Sequence, residues 1–270
     1  ALLPTTIARG NDLFLLVGSH NRIRDPTAKL WIDDGWDIHL VVGKATQSAD
    51  DKQSELVEWG APKSLLASIT KSTQQRGLTN FVGGGGSGIV TEDGRLVFPM
   101  MATRKNDDGI VSMILYSKDS GTNWDVSKDV PAADCRDPCI AEWGRGEILV
   151  LVYCGDGQKV FRTRDMGTTW NEASDLLARV WITTQPIPRG EGWLVGALIT
   201  AKFHERRVML YTQKVSHPPG ERNDKALYLW VADSNHTVYF GPFSVETGAK
   251  RAFANTLLYS GDALYVLQGM

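Results

Sequence analysis

Two eight-residue stretches of this chain repeat one another at a fixed phase. Ser117-Lys-Asp-Ser-Gly-Thr-Asn-Trp124 and Thr163-Arg-Asp-Met-Gly-Thr-Thr-Trp170 both obey Ser/Thr-x-Asp-x-Gly-x-Thr/Asn-Trp, and they start 46 residues apart. Each follows an alternating apolar run, Val111–Tyr116 before the first and Lys159–Arg162 before the second. A turn motif recurring at this period marks a supersecondary unit that stacks beside copies of itself. The motif has a local logic. Asp119 and Asp165 can accept backbone N–H bonds in a tight turn. Gly121 and Gly167 supply a positive φ. Trp124 and Trp170 fold back to pack between strands. These roles, with Ser117 and Thr163 opening each copy, are structural, so the motif predicts a blade and says nothing about catalysis.

The rest of the chain agrees with short strands. Nine Trp and 27 Gly among 270 residues favour many strands and turns. The length suits one all-β domain or two smaller ones. Strand-like pairs recur: 95–101 with 111–116, 147–154 with 159–162, 193–199 with 207–212, 226–231 with 237–240, and 255–259 with 263–267. Asp34-Gly35-Trp36 reads as a worn copy of the motif, and no amphipathic helix is predicted anywhere. Strand pairs at a spacing of roughly 40–50 residues point to a β-propeller of four-stranded blades.

Several function classes fall away. A net charge of −2 and a pI near 6.2 give no electrostatic reason to expect nucleic acid or an anionic membrane. No stretch approaches the ~20 apolar residues of a membrane span. Gly83-Gly-Gly-Gly-Ser-Gly88 has dinucleotide-fingerprint spacing, but a strand and hairpin turn follow it rather than a helix. Close backbone approach is the better account of those glycines. Cys135, Cys139 and Cys154 are an odd number, and no His or second Cys pair stands at zinc-ligand spacing, which points to buried thiols. The five histidines show no metal spacing either. No metal and no cofactor is expected.

Other stretches carry a family resemblance. Leu15-Leu-Val-Gly-Ser19, Leu40-Val-Val-Gly43, Trp59-Gly-x-Pro62, Phe81-Val-Gly-Gly84, Asp165-Met-Gly-x-Thr-Trp170, Arg207-Val-Met-Leu-Tyr211 and Leu227-Tyr-Leu-Trp230 resemble the trypanosomal sialidase and trans-sialidase superfamily, whose Asp box the repeated motif matches. The resemblance covers essentially the whole chain. It implies a six-bladed propeller, with residues 1–270 forming about four to five blades. It also implies a fragment, lacking the N-terminal blade segment with its Phe-Arg-Ile-Pro motif and the C-terminal lectin-like sandwich.

Active members of that family clamp the sialic acid carboxylate with three arginines. They use a glutamate-assisted tyrosine nucleophile and an aspartate acid/base. Guanidinium forks match a carboxylate, and a neutral phenol is a reasonable nucleophile beside an anionic substrate. Carried over, the site is mostly replaced. Leu3 stands at the acid/base position. Asp137, in Cys135-Arg-Asp-Pro138, replaces the glutamate with a side chain one methylene shorter. Tyr153 falls at or near the second arginine. Asp224 stands at the third arginine, and Arg222 at the substrate-stacking tryptophan. Phe253, or Ala254 without a gap, stands at the nucleophile. The first arginine belongs to the missing motif. Losing nucleophile, acid/base and clamp together removes what catalysis needs.

The resemblance therefore implies a catalytically degenerate surface glycoprotein with an adhesin role toward host-cell or matrix glycoproteins. Its localisation would be the cell surface, GPI-anchored or secreted, with both signals outside this chain. Asn235-His-Thr237 is an N-glycosylation acceptor that suits such a compartment. An active exo-α-sialidase or trans-sialidase acting on sialylated glycans is the alternative, and a non-cleaving sialic acid lectin a second.

Overall fold

The computed structural model describes residues 2–27, 29–47, 55–144, 146–155, 157–173, 196–204, 206–216, 225–233, 239–246 and 254–269. Strands dominate, and they fall into successive sheets whose neighbouring strands run antiparallel, except that Gly86–Ser87 pairs parallel with Leu2–Arg9. Blade 1 runs Leu2–Arg9, Asp12–Arg24, Trp31–Gln47 and Glu55–Trp59. Blade 2 runs Leu78–Gly83, Leu96–Arg104, Ile110–Ser117 and Asp125–Val126. Blade 3 runs Arg136–Gly144, Glu147–Cys154, Gly157–Thr163 and Asn171–Glu172. Blade 4 runs Leu198–Phe203, Arg206–Ser216, Lys225–Asp233 and Tyr239–Glu246. Ala254–Ser260 and Ala263–Gly269 form the hairpin of a fifth. The molecule is a partial β-propeller.

Burial explains the stacking. Each hydrophobic cluster lies between consecutive blades. Phe14, Leu16, Ile38 and Leu40 of blade 1 meet Phe81, Leu96, Phe98 and Met100 of blade 2. Val97 and Ile114 of blade 2 meet Ile148, Val150 and Val152 of blade 3. Leu149 and Leu151 point the other way, toward Leu198, Met209 and Tyr211 of blade 4. A middle strand is therefore buried on both faces, and Ile148–Val152 reads as an unbroken apolar run rather than an alternating one. At ~25 cal/mol per Å² of apolar area, such two-sided burial is the main force holding neighbouring blades together.

Strands of successive blades neighbour one another: 136–144 contacts both 96–104 of blade 2 and 198–203 of blade 4, and 254–260 contacts 198–203 and Gly86–Ser87. They form the ring around the propeller's centre.

Three expectations need correction. A helix does interrupt the strands, at Leu66–Thr73, followed by a 3-10 turn at Gln74–Arg76. It buries only Ile69 and Thr73 and has no side-chain N-cap, so two turns with no capping residue left no periodic signal. Asp34-Gly35-Trp36 lies inside the 17-residue strand Trp31–Gln47, where Gly35 takes φ +110° beside a register shift, and does not form a turn of the repeat. The cysteines are not all thiols. Cys135 and Cys154 form a disulfide, and Cys139 is free and buried.

Candidate functional site

The glycine run organises the centre. A methyl group on Gly83 would meet Thr5 Oγ1 at 2.5 Å and Leu3 O at 2.9 Å, and one on Gly84 would meet Pro138 O at 2.6 Å. Only glycine lets the backbone thread between the first strand of blade 1 and the first strand of blade 3. Thr5 fixes the crossing, its hydroxyl donating to Leu3 O at 3.1 Å and accepting the Gly85 N–H at 2.9 Å. Leu3 has φ +44° and is half-buried.

Pro138 follows a bulge. Asp137 has φ +54°, a conformation that costs a non-glycine residue roughly 1–2 kcal/mol. Its side chain is 1 % exposed, its N–H donates to Met101 Sδ at 3.2 Å, and Arg136 Nε lies 3.7 Å from its carboxylate. The ladder shifts register here, from Arg136↔Tyr153 to Cys139↔Leu151.

Across the ladder the half-buried Tyr153 meets the buried Tyr211 and Gln158 in a polar cluster. Its hydroxyl lies 2.8 Å from that of Tyr211 in blade 4, and Gln158 Nε2 donates to the Tyr211 hydroxyl at 2.5 Å. Burial raises both phenols above the ordinary tyrosine value, so both are neutral at physiological pH. Cys139 sits beside them. Its Sγ donates to Gly196 O at 3.3 Å, and burial, followed by the Asp137 charge, pushes its thiol up to about 12. Farther round, Thr212 Oγ1 accepts the Ala197 N–H at 2.9 Å and donates to Asn255 Oδ1 of the fifth hairpin, while Ser87 and Thr256 hydroxyls lie 3.3 Å apart. Among the described residues no three His, Cys, Asp or Glu side chains are grouped to hold a metal ion.

Among the described residues the centre is thus a ring of backbone and neutral polar side chains around the buried Asp137 carboxylate. Known proteins with this architecture are informative. A BNR repeat-like domain model matches residues 2–268. The chain is 41% identical over 268 residues to Sialidase 85-1.1 of Trypanosoma cruzi, covering 99% of this chain and 35% of that protein.

The chain belongs to the sialidase/trans-sialidase superfamily.

A second T. cruzi sialidase is 32% identical over 271 residues, covering 98% of this chain and 22% of that relative. The Trypanosoma rangeli sialidase structure in complex with sialic acid superposes with a TM-score of 0.80 at 28% identity, over 99% of this chain and 42% of that one. The chain therefore spans about a third or less of these curated relatives' length.

Within this sialidase-family propeller, the three described positions named from the resemblance come together. Leu3 and Asp137 are linked through the glycine run, and Tyr153 is the ladder partner of the residue before Asp137. Arg222, Asp224, Phe253 and the acceptor Asn235 lie outside the described residues. Sequence reasoning missed Tyr211 and Gln158. Gln158 faces Tyr153 across the next ladder, and Tyr211 arrives from a strand 58 residues away. Gln158 is buried while the polar Lys159 and Arg162 on the same strand are more exposed, so no local signal marked it.

Proposed function

We propose that this propeller is a catalytically degenerate member of the sialidase/trans-sialidase superfamily, acting as an adhesive surface glycoprotein toward host-cell or matrix glycoproteins. The observation that carries the reading is the neutral Tyr153–Tyr211–Gln158 cluster, at the position where the family resemblance calls for a carboxylate-clamping arginine. A pair of neutral phenols cannot offer the charge-assisted, bidentate bonds of a guanidinium. Leu3, at the acid/base position, carries no proton to transfer. The Cys135–Cys154 bridge supports maturation in an oxidising compartment, as a secreted or GPI-anchored surface protein requires.

The test is hydrolysis of a fluorogenic sialoside by the full-length protein, beside an active sialidase as control. The expected result is no turnover above the buffer blank; turnover comparable with the control overturns the proposal. The active reading draws on one observation, the buried Asp137 carboxylate kept at the position of the assisting glutamate, together with relatives that are named sialidases. One T. rangeli relative is described in complex with sialic acid, so a lectin that binds without cleaving is the remaining reading. Glycan-array binding that disappears on desialylation, without turnover, would select it.

A further inference from the structure

Asp137 and Tyr153 stand at the weak end of a hairpin. The bulge breaks the ladder between Arg136 and Cys139, so beyond it one pair, Arg136↔Tyr153, is all that joins the two strands. One ladder pair outside a bulge would be expected to open readily, because a short, interrupted ladder gives little cooperative protection. Asp137 is also in a left-handed conformation that its surroundings must impose.

The bridge closes that end. Cys135 immediately precedes Arg136, and Cys154 immediately follows Tyr153. Both are buried in the cluster between blades 2 and 3, and the Cys135 carbonyl accepts the Ser112 hydroxyl at 2.8 Å. We propose that the Cys135–Cys154 disulfide is a positioning device for the centre of the propeller: it holds the Asp137 bulge against the Tyr153 strand, which the unbroken ladder to 157–163 fixes on its other edge. The third cysteine does not compete. Cys139 lies on the far side of the bulge with its thiol bonded to Gly196 O, and a thiol held protonated by burial is a poor nucleophile toward a disulfide.

The inference does not depend on whether the site cleaves, binds or ignores a sugar. Hydrogen exchange on the full-length protein tests it, comparing wild type with the double variant Cys135→Ala/Cys154→Val. Amides at 136–141 are expected to exchange about 100-fold faster in the variant, the magnitude that releasing a loop of this length allows, while those at 150–154, paired to 157–163 on the other edge, should change less. Strands 96–104 and 110–117 of blade 2 should keep their rates. Absorbance titration supplies a second readout: the Tyr153 and Tyr211 phenols, held above the ordinary tyrosine value of about 10 by burial, should ionise at lower pH in the variant. Unchanged exchange at 136–141, or protection lost evenly across all blades, overturns the proposal. Cys139→Ala is the control for core packing. If it loosens the same hairpin as much as the double variant does, the bridge is not the device.

Discussion

The two copies of the repeat are the same turn inside and different turns outside. In each, a buried hydroxyl (Ser117 or Thr163) accepts the glycine N–H at 2.8 Å and donates to the aspartate at 2.8 Å. In each, the aspartate accepts the N–H four residues from the start of the hydroxyl–aspartate pair's second member, from Asn123 at 2.8 Å or Thr169 at 2.9 Å. Ser120–Gly121 and Met166–Gly167 both take positive φ. The tryptophans then part ways. Trp124 donates to Gly121 O within its own turn at 3.0 Å and packs against Phe98. Trp170 donates instead to Lys128 O at 2.9 Å, and the Lys128 N–H returns a bond to Gly167 O at 3.0 Å. The second turn therefore clasps the segment leading from blade 2 to blade 3, whereas the first leans on the Phe14 ring of blade 1. A motif of eight residues fixes its own interior; what it does for the fold depends on whether the neighbouring blade offers a ring or a backbone.

The sharpest way to break this comparison is to add one methyl group to each glycine. On Gly167 it would meet Ser127 Cβ at 2.4 Å and Trp170 Cζ2 at 2.7 Å; on Gly121 its nearest neighbour is the edge of the Phe14 ring at 3.1 Å. Both alanines carry left-handed backbone strain of about 1–2 kcal/mol. Gly167→Ala adds overpacking of about 1–3 kcal/mol against backbone-anchored atoms, while the Phe14 ring can give. Denaturant midpoints at equal slope should therefore fall further for Gly167→Ala than for Gly121→Ala. Equal losses would mean that the clasp does not distinguish the two turns.

Those glycines also show what the sequence could and could not disclose. Gly and Asp at fixed offsets carry their turn in the sequence because the hydroxyl, aspartate and glycine bonds of both copies close within eight residues. The blade strands were legible for a similar reason: two-sided burial makes runs such as Ile148–Val152 unmistakably apolar. The helix at Leu66–Thr73 was hidden because it buries too few positions to set a period. The centre was legible only through resemblance, which supplied Leu3, Asp137 and Tyr153. Tyr211 and the Cys135–Cys154 pairing depend on inter-strand register and blade stacking, and no local pattern encodes either.

A middling effect is expected at the tryptophans. Trp124→Phe removes buried indole surface and an internal bond, costing about 1–3 kcal/mol, mostly as blade-2 stability. Trp170→Phe should cost about 1 kcal/mol, since it mainly leaves the Lys128 carbonyl to find water. The discriminating measurement is exchange of the Lys128 amide. It should quicken in Trp170→Phe and hold steady in Trp124→Phe, and the reverse pattern would refute the assignment of the clasp to the second turn.

The smallest effect tests the sameness of the interiors rather than their difference. The Asn123 backbone N–H, then its side-chain amide and the Ser117 hydroxyl, hold the Asp119 carboxyl down at about 2. Asp165 is lowered too, chiefly by the Thr169 N–H. A carboxyl depressed by folding adds stability that is fully present above its unfolded value near 4 and is lost as pH falls toward 2. Both aspartates are solvent-facing, so the contribution of each is small and screened by salt. Asp119→Asn and Asp165→Asn keep an acceptor for the turn N–H but cannot titrate. Each should flatten the fall in denaturant midpoint between about pH 4 and pH 2 slightly, Asp119→Asn at least as much as Asp165→Asn. A larger flattening for Asp165→Asn than for Asp119→Asn would show that the outer contacts of the second turn reach inward, because inside the turns it is Asp119 that gains the additional Asn123 amide bond.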